Sequence, residues 1–285
     1  MLGKLGSKLK SIDKVKIFGF IILIIGLSLV FLHKYPKDWP CNILINNFYA
    51  NFSAEFISIA ITILLIDYLY EVKEKKNLKS RLIRELGSEE NGLTKRALKE
   101  LKEYGWLENG TLANADLKKA NLTDLDLSGI NLEGADLSFA DLSKSNLTNA
   151  NLKNCILLET KFLNSTLENC EMDNAKAHKA IFYEATLHKV KGTNVDFLEA
   201  KMGLVVLTNA TLENCKFDGA NFELTNLSKS KFVNCELSQV NFESSNVKDA
   251  VFERCNLLEI RNWQNMVNKT DASFLSPRNA PAGFN

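Results

Sequence analysis

The sequence predicts a mostly β chain: a stacked, coiled parallel β-solenoid, preceded by a transmembrane α-hairpin and a linker helix. Three observations predict it. Leu and Asn are in excess, at 43 and 31 of 285 residues, beside only 14 Gly and 4 Pro. An excess of that kind points to an internal repeat. A large apolar residue then recurs every five positions from Leu112 to Leu257, and two apolar segments precede it. The low Gly and Pro content excludes collagen-like and Pro/Gly-rich disordered classes, and 46% hydrophobic residues can build a sizeable core. A formal net charge of +1 argues against a globally basic nucleic-acid binder.

The elements follow in chain order. Residues 1–14 form a basic N-terminus, expected in the cytosol. Residues 15–71 form the hairpin, with spans over about 15–33 and 52–70. Ile17 to Leu32 carries no charge, and Val15 with a snorkelling Lys16 lengthens it to about 18 residues, near the lower limit for a spanning helix. A signal peptide is the rival reading, but HKYPKDWP follows without a small-x-small cleavage site, so retention is expected. The second segment, Phe56 to Ile66, is flanked by Glu55 and Asp67. A span therefore places both acids near the interfaces, with Tyr68 and Tyr70 in an inner aromatic belt and Tyr35 and Trp39 in an outer one.

Lys4, Lys8, Lys10, Lys14 and Lys16 precede the first span, only Lys34 and Lys37 lie in the loop, and six basic residues from Lys73 to Arg84 follow the second. The positive-inside rule puts both termini and the C-terminal part in the cytosol. Gly19 and Gly26 lie seven apart on one face of the first helix, and Glu55, Ser58 and Thr62 share a face of the second. Small residues permit close approach, and polar side chains satisfy one another across a helix pair. Alternatively, that polar stripe joins protomers or lines a pore.

Residues 72–109 read as amphipathic linker helices and an N-terminal cap. Leu78, Leu82, Ile83 and Leu86 form one stripe, Gly87-Ser88 and Asn91-Gly92 break the helix, and a second short helix runs from about Thr94 to Tyr104. Residues 110–258 are the repeat. Of 30 positions stepping by five from Leu112, 17 are Leu, 8 Phe and 2 Met, with Val247, Ala177 and Gly192 completing the set. Two residues before each sits a small side chain in 24 of 30 cases. Positions two apart in an extended segment point to one side, so each short strand sends one large and one small residue inward. A chain doing this repeatedly must coil and stack as parallel strands about 4.8 Å apart. Near Ala177 and Gly192, neighbouring Phe and Met side chains are expected to fill the gaps. Residues 259–285 are expected to cap the last coil through Trp263 and then to form a wrapping or fraying tail.

Ala115-Asp116-Leu117, Ala120-Asn121-Leu122, Ala135-Asp136-Leu137, Ala140-Asp141-Leu142, Ala150-Asn151-Leu152 and Ala220-Asn221-Phe222 match the motif A(D/N)LXX. The chain thus resembles the pentapeptide-repeat family over about half its length. The resemblance implies a right-handed quadrilateral β-helix with four repeats per coil, here about 7.5 coils and roughly 36 Å of rod. Gly105 to Gly110 is similar to the lead-in of bacterial membrane-anchored members. Some members resemble duplex DNA in shape and charge and bind gyrase. Here Lys is interspersed among the acids of the rod, so nucleic-acid mimicry is the least favoured reading.

No chemistry-bearing constellation emerges. Cys155, Cys170, Cys215, Cys235 and Cys255 all fall at the small inward position, and Cys41 stands alone. His178 and His188 are ten residues apart, on opposite sides of a four-sided coil. No metal, cofactor or catalytic residue is expected, and an enzyme is not predicted. The Asp or Asn preceding each central residue is invariant from Asp116 to Asn151, but from Ile156 to Lys216 only Asp196 keeps it. Residues twenty apart stack, so Leu158, His178 and Leu198 form one outer column and Leu163 and Tyr183 another. Stacked outward apolar residues suggest a binding patch. Charge divides as well: residues 1–110 hold 17 basic and 12 acidic groups, whereas 111–257 hold 15 and 20. The leading expectation is a membrane-anchored scaffold or interaction module for an unidentified protein partner. The alternative is a membrane effector whose hairpins oligomerise and perturb the lipid bilayer. Self-association through hairpin, linker helix or solenoid end is compatible with both.

Overall fold

The computed structural model describes residues 2–32 and 42–284, with side chains from 15–30 and 51–284. Cys41, Lys34, Lys37, Tyr35 and Trp39 lie outside these described residues. The chain divides into two compact units, residues 1–78 and 79–285.

In the first unit, α1 (Leu2–Leu32) packs antiparallel against α2 (Asn42–Leu86). The two glycines decide the contact. A Cβ on Gly26 would stand 2.8 Å from Ile57 Cγ1, and one on Gly19 would stand 3.0 Å from Leu64 Cδ2. Gly19, Ile22 and Gly26 are buried on α1, as are Ser53, Ala60 and Asp67 on α2. The packed face of α2 is thus a stripe at spacing seven that mirrors the glycines. Glu55, Ser58 and Thr62 are exposed instead, which corrects the expectation that they meet α1. The glycine facets receive Ile57 and Leu64, themselves seven apart on α2. Thr62 Oγ1 turns back to the Ser58 carbonyl at 2.8 Å. Lys16 pairs with Glu71 at one end of the contact. Much of the outer surface is apolar, with Ile17, Phe18, Ile24, Ile61, Ile66 and Leu69 all more than half exposed. Among the described residues, one helical stretch, Asn51–Leu86, is long and apolar enough to cross a membrane, and Val15–Val30 is a shorter apolar helix.

The second unit begins with the end of α2 and with α3 (Asn91–Glu103), which close the first coil. Leu82, Leu86, Ala97, Leu98 and Leu101 are buried together with Trp106 and Leu107. The connecting backbone supplies what a strand below would have supplied. Asn121 N donates to the Ser88 carbonyl at 2.8 Å, and Asn131 N to the Leu107 carbonyl at 2.9 Å. Asn91 lies inside α3 rather than in a break, because its amide is tied to the first coil, donating to the Thr123 carbonyl at 3.0 Å.

From there the backbone coils with a period of twenty residues and four short parallel pairings per turn. Asp116, Asp136, Ile156, Lys176, Asp196, Lys216, Glu236, Asn256 and Arg278 form one ladder. Four neighbouring rungs are long enough to count as strands: β1 (Lys191–Thr193), β2 (Thr211–Glu213), β3 (Lys231–Val233) and β4 (Val251–Glu253). They pair in parallel at the same twenty-residue offset. All thirty central residues from Leu112 to Leu257 are buried. Inside, Phe rings stack coil on coil: Phe162 on Phe182 at 4.9 Å, Phe197 on Phe217 at 4.8 Å and Phe232 on Phe252 at 5.0 Å between centroids. Burial of this kind supplies about 25 cal/mol for each Å² of apolar surface removed from water. At Gly192 the space is taken by Val195 Cγ2 and Leu212 Cδ2, which lie 2.6 and 3.3 Å from where a Cβ would sit. The filling comes mainly from an enlarged inward residue and the coil above, with Met172 further off at 3.8 Å.

The coil does not stop at residue 258. β5 (Ser273–Leu275) pairs with β4, and Phe274 stacks on Phe252 at 4.9 Å. Pairing offsets grow from 20 at Asn241 and Arg261 to 21 at Asn246 and Val267, then to 22 at Val251 and Ser273. Two extra residues break the period, so a five-residue register read from the sequence ends one coil early. Phe284 then folds over the end against Trp263 and Phe274, with Lys269 Nζ 4.0 Å from the Trp263 ring centre.

Candidate interaction surface

Most repeats turn their corner in the same way. The amide three residues after a central residue donates to that residue's carbonyl, as Ala115 N does to Leu112 O at 3.1 Å, whereas at Leu122 that amide, Leu125 N, donates to Ser145 Oγ. Two residues after the central position the backbone is left-handed in every repeat from Asn114 to Glu259, with φ between 51° and 72°. This is the positive φ a type II turn demands of its third residue. Asn, Gly, Asp and Lys fill most of these corners.

Along one edge the corner residues form an amide ladder. Asn174 Nδ2 donates to Asn154 Oδ1, Asn194 to Asn174 and Asn234 to Asn214, each at 3.3 Å. Arg254 continues it, with Nε 2.8 Å from Asn234 Oδ1. The Asp or Asn before each central residue has a separate task. Its side-chain oxygen accepts the amide two residues on, as Asp136 does from Ser138 N at 3.0 Å and Asp141 from Ser143 N at 3.0 Å. The middle coils lack this acceptor wherever that residue is apolar or basic.

The sequence-predicted patch falls on those middle coils. Leu158, His178 and Leu198 stack in one outer column, tied coil to coil by Glu159 N to His178 O at 3.0 Å and Lys179 N to Leu198 O at 2.9 Å. All three are half-buried, as is Leu163, whereas Tyr183 is exposed. The first column is therefore partly covered by its own stacking. Sequence reasoning missed the residues beside the second column. Leu204 and Leu224 are exposed corner residues at φ 58° and 56°, stacked twenty apart. Phe139 is a third exposed apolar corner at φ 62°, on a different edge. Bulky side chains at positive φ are outliers in proteins, and such strain collects at functional positions. The signal available beforehand was a Leu or Phe in the register position otherwise held by Gly or by a polar or charged residue.

Gly203 completes the feature. The Tyr183 ring lies across it, 3.3 Å from where a Cβ would be. Tyr183, Leu204 and Leu224 thus run diagonally over three coils, with the half-buried Ile181 and Val206 at either side. Glu184 and Glu223 flank the diagonal, both exposed and neither in an ion pair among the described residues.

At the far end of the solenoid, charges pair with one another. A groove at the last coils is lined by Asn234, Glu236, Arg254, Ser276 and Arg278. There Arg278 pairs with Glu236 at 2.8 Å and Arg254 with Glu253 at 2.7 Å. Burial opposes ionisation of Glu236, but hydrogen bonds from Asn256 and Arg278 outweigh it and hold the carboxyl below its usual range. The inward cysteines are core. Burial pushes the Cys155 and Cys170 thiols up to about 12, and each donates to a carbonyl of the coil below. Such thiols carry almost no thiolate at neutral pH. His188 Nδ1 sits 2.7 Å from Thr208 Oγ1. Among the described residues no three His, Cys, Asp or Glu side chains group as a metal site.

The backbone and its interior define a capped parallel β-solenoid. Residues 107–138, 135–172 and 145–182 match the family model of pentapeptide repeats, and residues 205–270 match that of a pentapeptide repeat region. The solenoid belongs to the pentapeptide-repeat family. No curated protein matches the chain in sequence. It is similar to the solved structure of full-length QnrB1, a plasmid-mediated fluoroquinolone resistance protein, at 20% identity and TM-score 0.37 over 58% of this chain and 79% of that one. It is also similar to HetL from the cyanobacterium Nostoc sp. strain PCC 7120, involved in heterocyst differentiation regulation, at 20% identity and TM-score 0.24 over 62% and 93%. A third is a pentapeptide repeat protein of the Arabidopsis thaliana thylakoid lumen, at 23% identity and TM-score 0.29 over 42% and 69%.

Proposed function

We propose that the chain is a non-enzymatic, membrane-anchored interaction module, held at a bacterial inner membrane by the α1–α2 pair with its solenoid in the cytosol. The observation that carries this reading is the stack of outward apolar side chains on the middle coils. A solenoid core needs no apolar residues outside, and stacked ones are a contact surface. The outwardly apolar helix pair supports the anchor, since such a surface is costly in water and neutral in lipid. Two measurements test it. Carbonate extraction of membranes should leave the chain in the pellet, with the solenoid open to protease only from the cytosolic side. In-cell crosslinking should yield a partner adduct that Leu158→Asp with Leu198→Asp removes while the purified variant keeps its circular dichroism. A chain released by carbonate, or adducts indifferent to the double variant, would defeat the reading.

A second reading, a membrane effector, is favoured by the outward position of Glu55, Ser58 and Thr62. Acidic and hydroxyl side chains on a lipid-facing surface seek partners in another hairpin. Overexpression that collapses the signal of a membrane-potential dye, and ceases to in Glu55→Ala, supports it; an unchanged potential removes it.

A further inference from the structure

We propose that the diagonal formed by Tyr183, Leu204 and Leu224, with the Tyr183 ring seated over Gly203, docks a short cationic amphipathic helix from another protein. This rests on reading the solenoid as an interaction module, and it adds the site and the partner's chemistry.

Four observations select that occupant. The surface is apolar where the repeat requires none, and it sits on two corners whose left-handed backbone disfavours leucine. Its size is modest: the three exposed side chains together offer roughly 300 Å², well short of the ~800 Å² per side of a stable dimer. A second folded copy is therefore a poor fit, and a single short element a good one. An extended strand has nothing to bind, because the backbone groups along these coils already pair with the coils above and below. Tyr183 O accepts from Asn164 N at 3.1 Å, Leu204 N donates to Glu223 O at 3.0 Å and Leu224 N to Glu243 O at 2.8 Å. Strand addition needs an open edge, and the edges of a solenoid are at its ends. A helix laid along the stacking direction places apolar residues about 5.4 Å apart per turn, close to the ~4.8 Å between coils. Its side chains then meet one coil after another, over a floor that includes the Tyr183 ring seated on the buried Gly203.

Charge sets the sign of the partner. Glu184 lies below Leu204 in the corner column, and Glu223 lies above Gly203 in the Tyr183 column. These carboxylates bracket the diagonal on opposite sides, and neither has an ion pair among the described residues. Two cations stand in the column of Ile181, on the side away from the corner: Lys201, and Lys161, which pairs with Asp141. A helix with lysines on both flanks of a leucine stripe satisfies both glutamates.

The experiment uses the full chain purified in detergent and a fluorescent synthetic helix of about five turns, with Leu at i, i+4, i+7 and i+11 and Lys on both flanks. A second helix carries Glu in place of Lys. Leu204→Asn with Leu224→Asn is the decisive variant, because asparagine suits the corner backbone and the protein stays folded. The cationic helix should bind the wild type at least about tenfold more tightly than this variant, and about tenfold more tightly than the anionic helix binds. Glu184→Lys with Glu223→Lys should reverse the preference between the helices. Equal binding to wild type and the Asn variant overturns the proposal, as does indifference to charge or no saturable binding. Carbonate extraction reports on the anchor separately. A chain that binds the helix but leaves the membrane sinks only the anchored reading, and one that stays in the membrane but ignores the helix sinks only this inference.

Discussion

Two edges of one solenoid share a backbone and differ in what stands on it. Along the edge from Asn154 to Asn234 the left-handed corner is held by asparagine, and amides hydrogen-bond from coil to coil. Along the edge of Leu204 and Leu224 the same φ is held by leucine, with no polar contact to offset it. A left-handed L-residue costs about 1–2 kcal/mol, and asparagine recovers part of that through local hydrogen bonding. The ladder edge therefore carries stability. The leucine edge has a cost that the fold does not explain, which makes it the better guide to function.

The comparison can be broken or sharpened in several ways. The scale is set by the core shared by both edges. Phe217 is fully buried and stacked on Phe197, so Phe217→Ala should cost about 3–5 kcal/mol in chemical denaturation. A loss under 1 kcal/mol would mean that the rings are not a continuous stack. Next, Asn174→Val puts a β-branched residue at φ 59° and removes two ladder bonds, for an expected loss of about 2–3 kcal/mol. Were valine tolerated there, the corner would impose no chemical demand and the contrast between the edges would vanish. Conversely, Leu204→Asn with Leu224→Asn should raise stability by about 1–2 kcal/mol, seen as a higher thermal midpoint. A lowered midpoint would show that the leucines stabilise the fold and need no functional reason.

The smallest effect concerns pH. Hydrogen bonds from Ser128 and Lys102 hold the Asp126 carboxyl below its ordinary range. A depressed folded value means that this contribution is present above the unfolded Asp value, near pH 4, and is lost as pH falls through the lower folded one. Asp126→Asn should flatten the acid limb of the stability curve below about pH 4. An acid limb identical to that of wild type would remove Asp126 from the account.

Much of this was legible in the sequence for a simple reason. A solenoid repeats one local environment, so periodicity alone identified every central residue from Leu112 to Leu257 as inward. The small inward position identified the five described cysteines as core by the same logic. What the period could not carry was its own interruption: two added residues between Asn241 and Ser273 shift the register, and the closing coil with Phe274 disappears from the pattern. The hairpin shows a second limit. Gly19 and Gly26 announced a close approach, but polarity drew attention to Glu55, Ser58 and Thr62. Size decided instead: the glycines leave room for Ile57 and Leu64, which are seven apart on α2. The leucine corners were hidden because a Leu in a Leu-rich chain looks ordinary until its backbone conformation is known.

The twenty-residue offset between coils has a consequence for how such a chain can change length. Adding or deleting twenty residues adds or removes one storey of about 4.8 Å and leaves every column in place. Adding or deleting five keeps the interior intact but rotates everything downstream by a quarter turn. The asparagine edge would then continue on a different side of the tower, and the leucine diagonal would face a new direction relative to α3. Length in this molecule is therefore counted in whole turns, and any other edit redirects the surface while sparing the core.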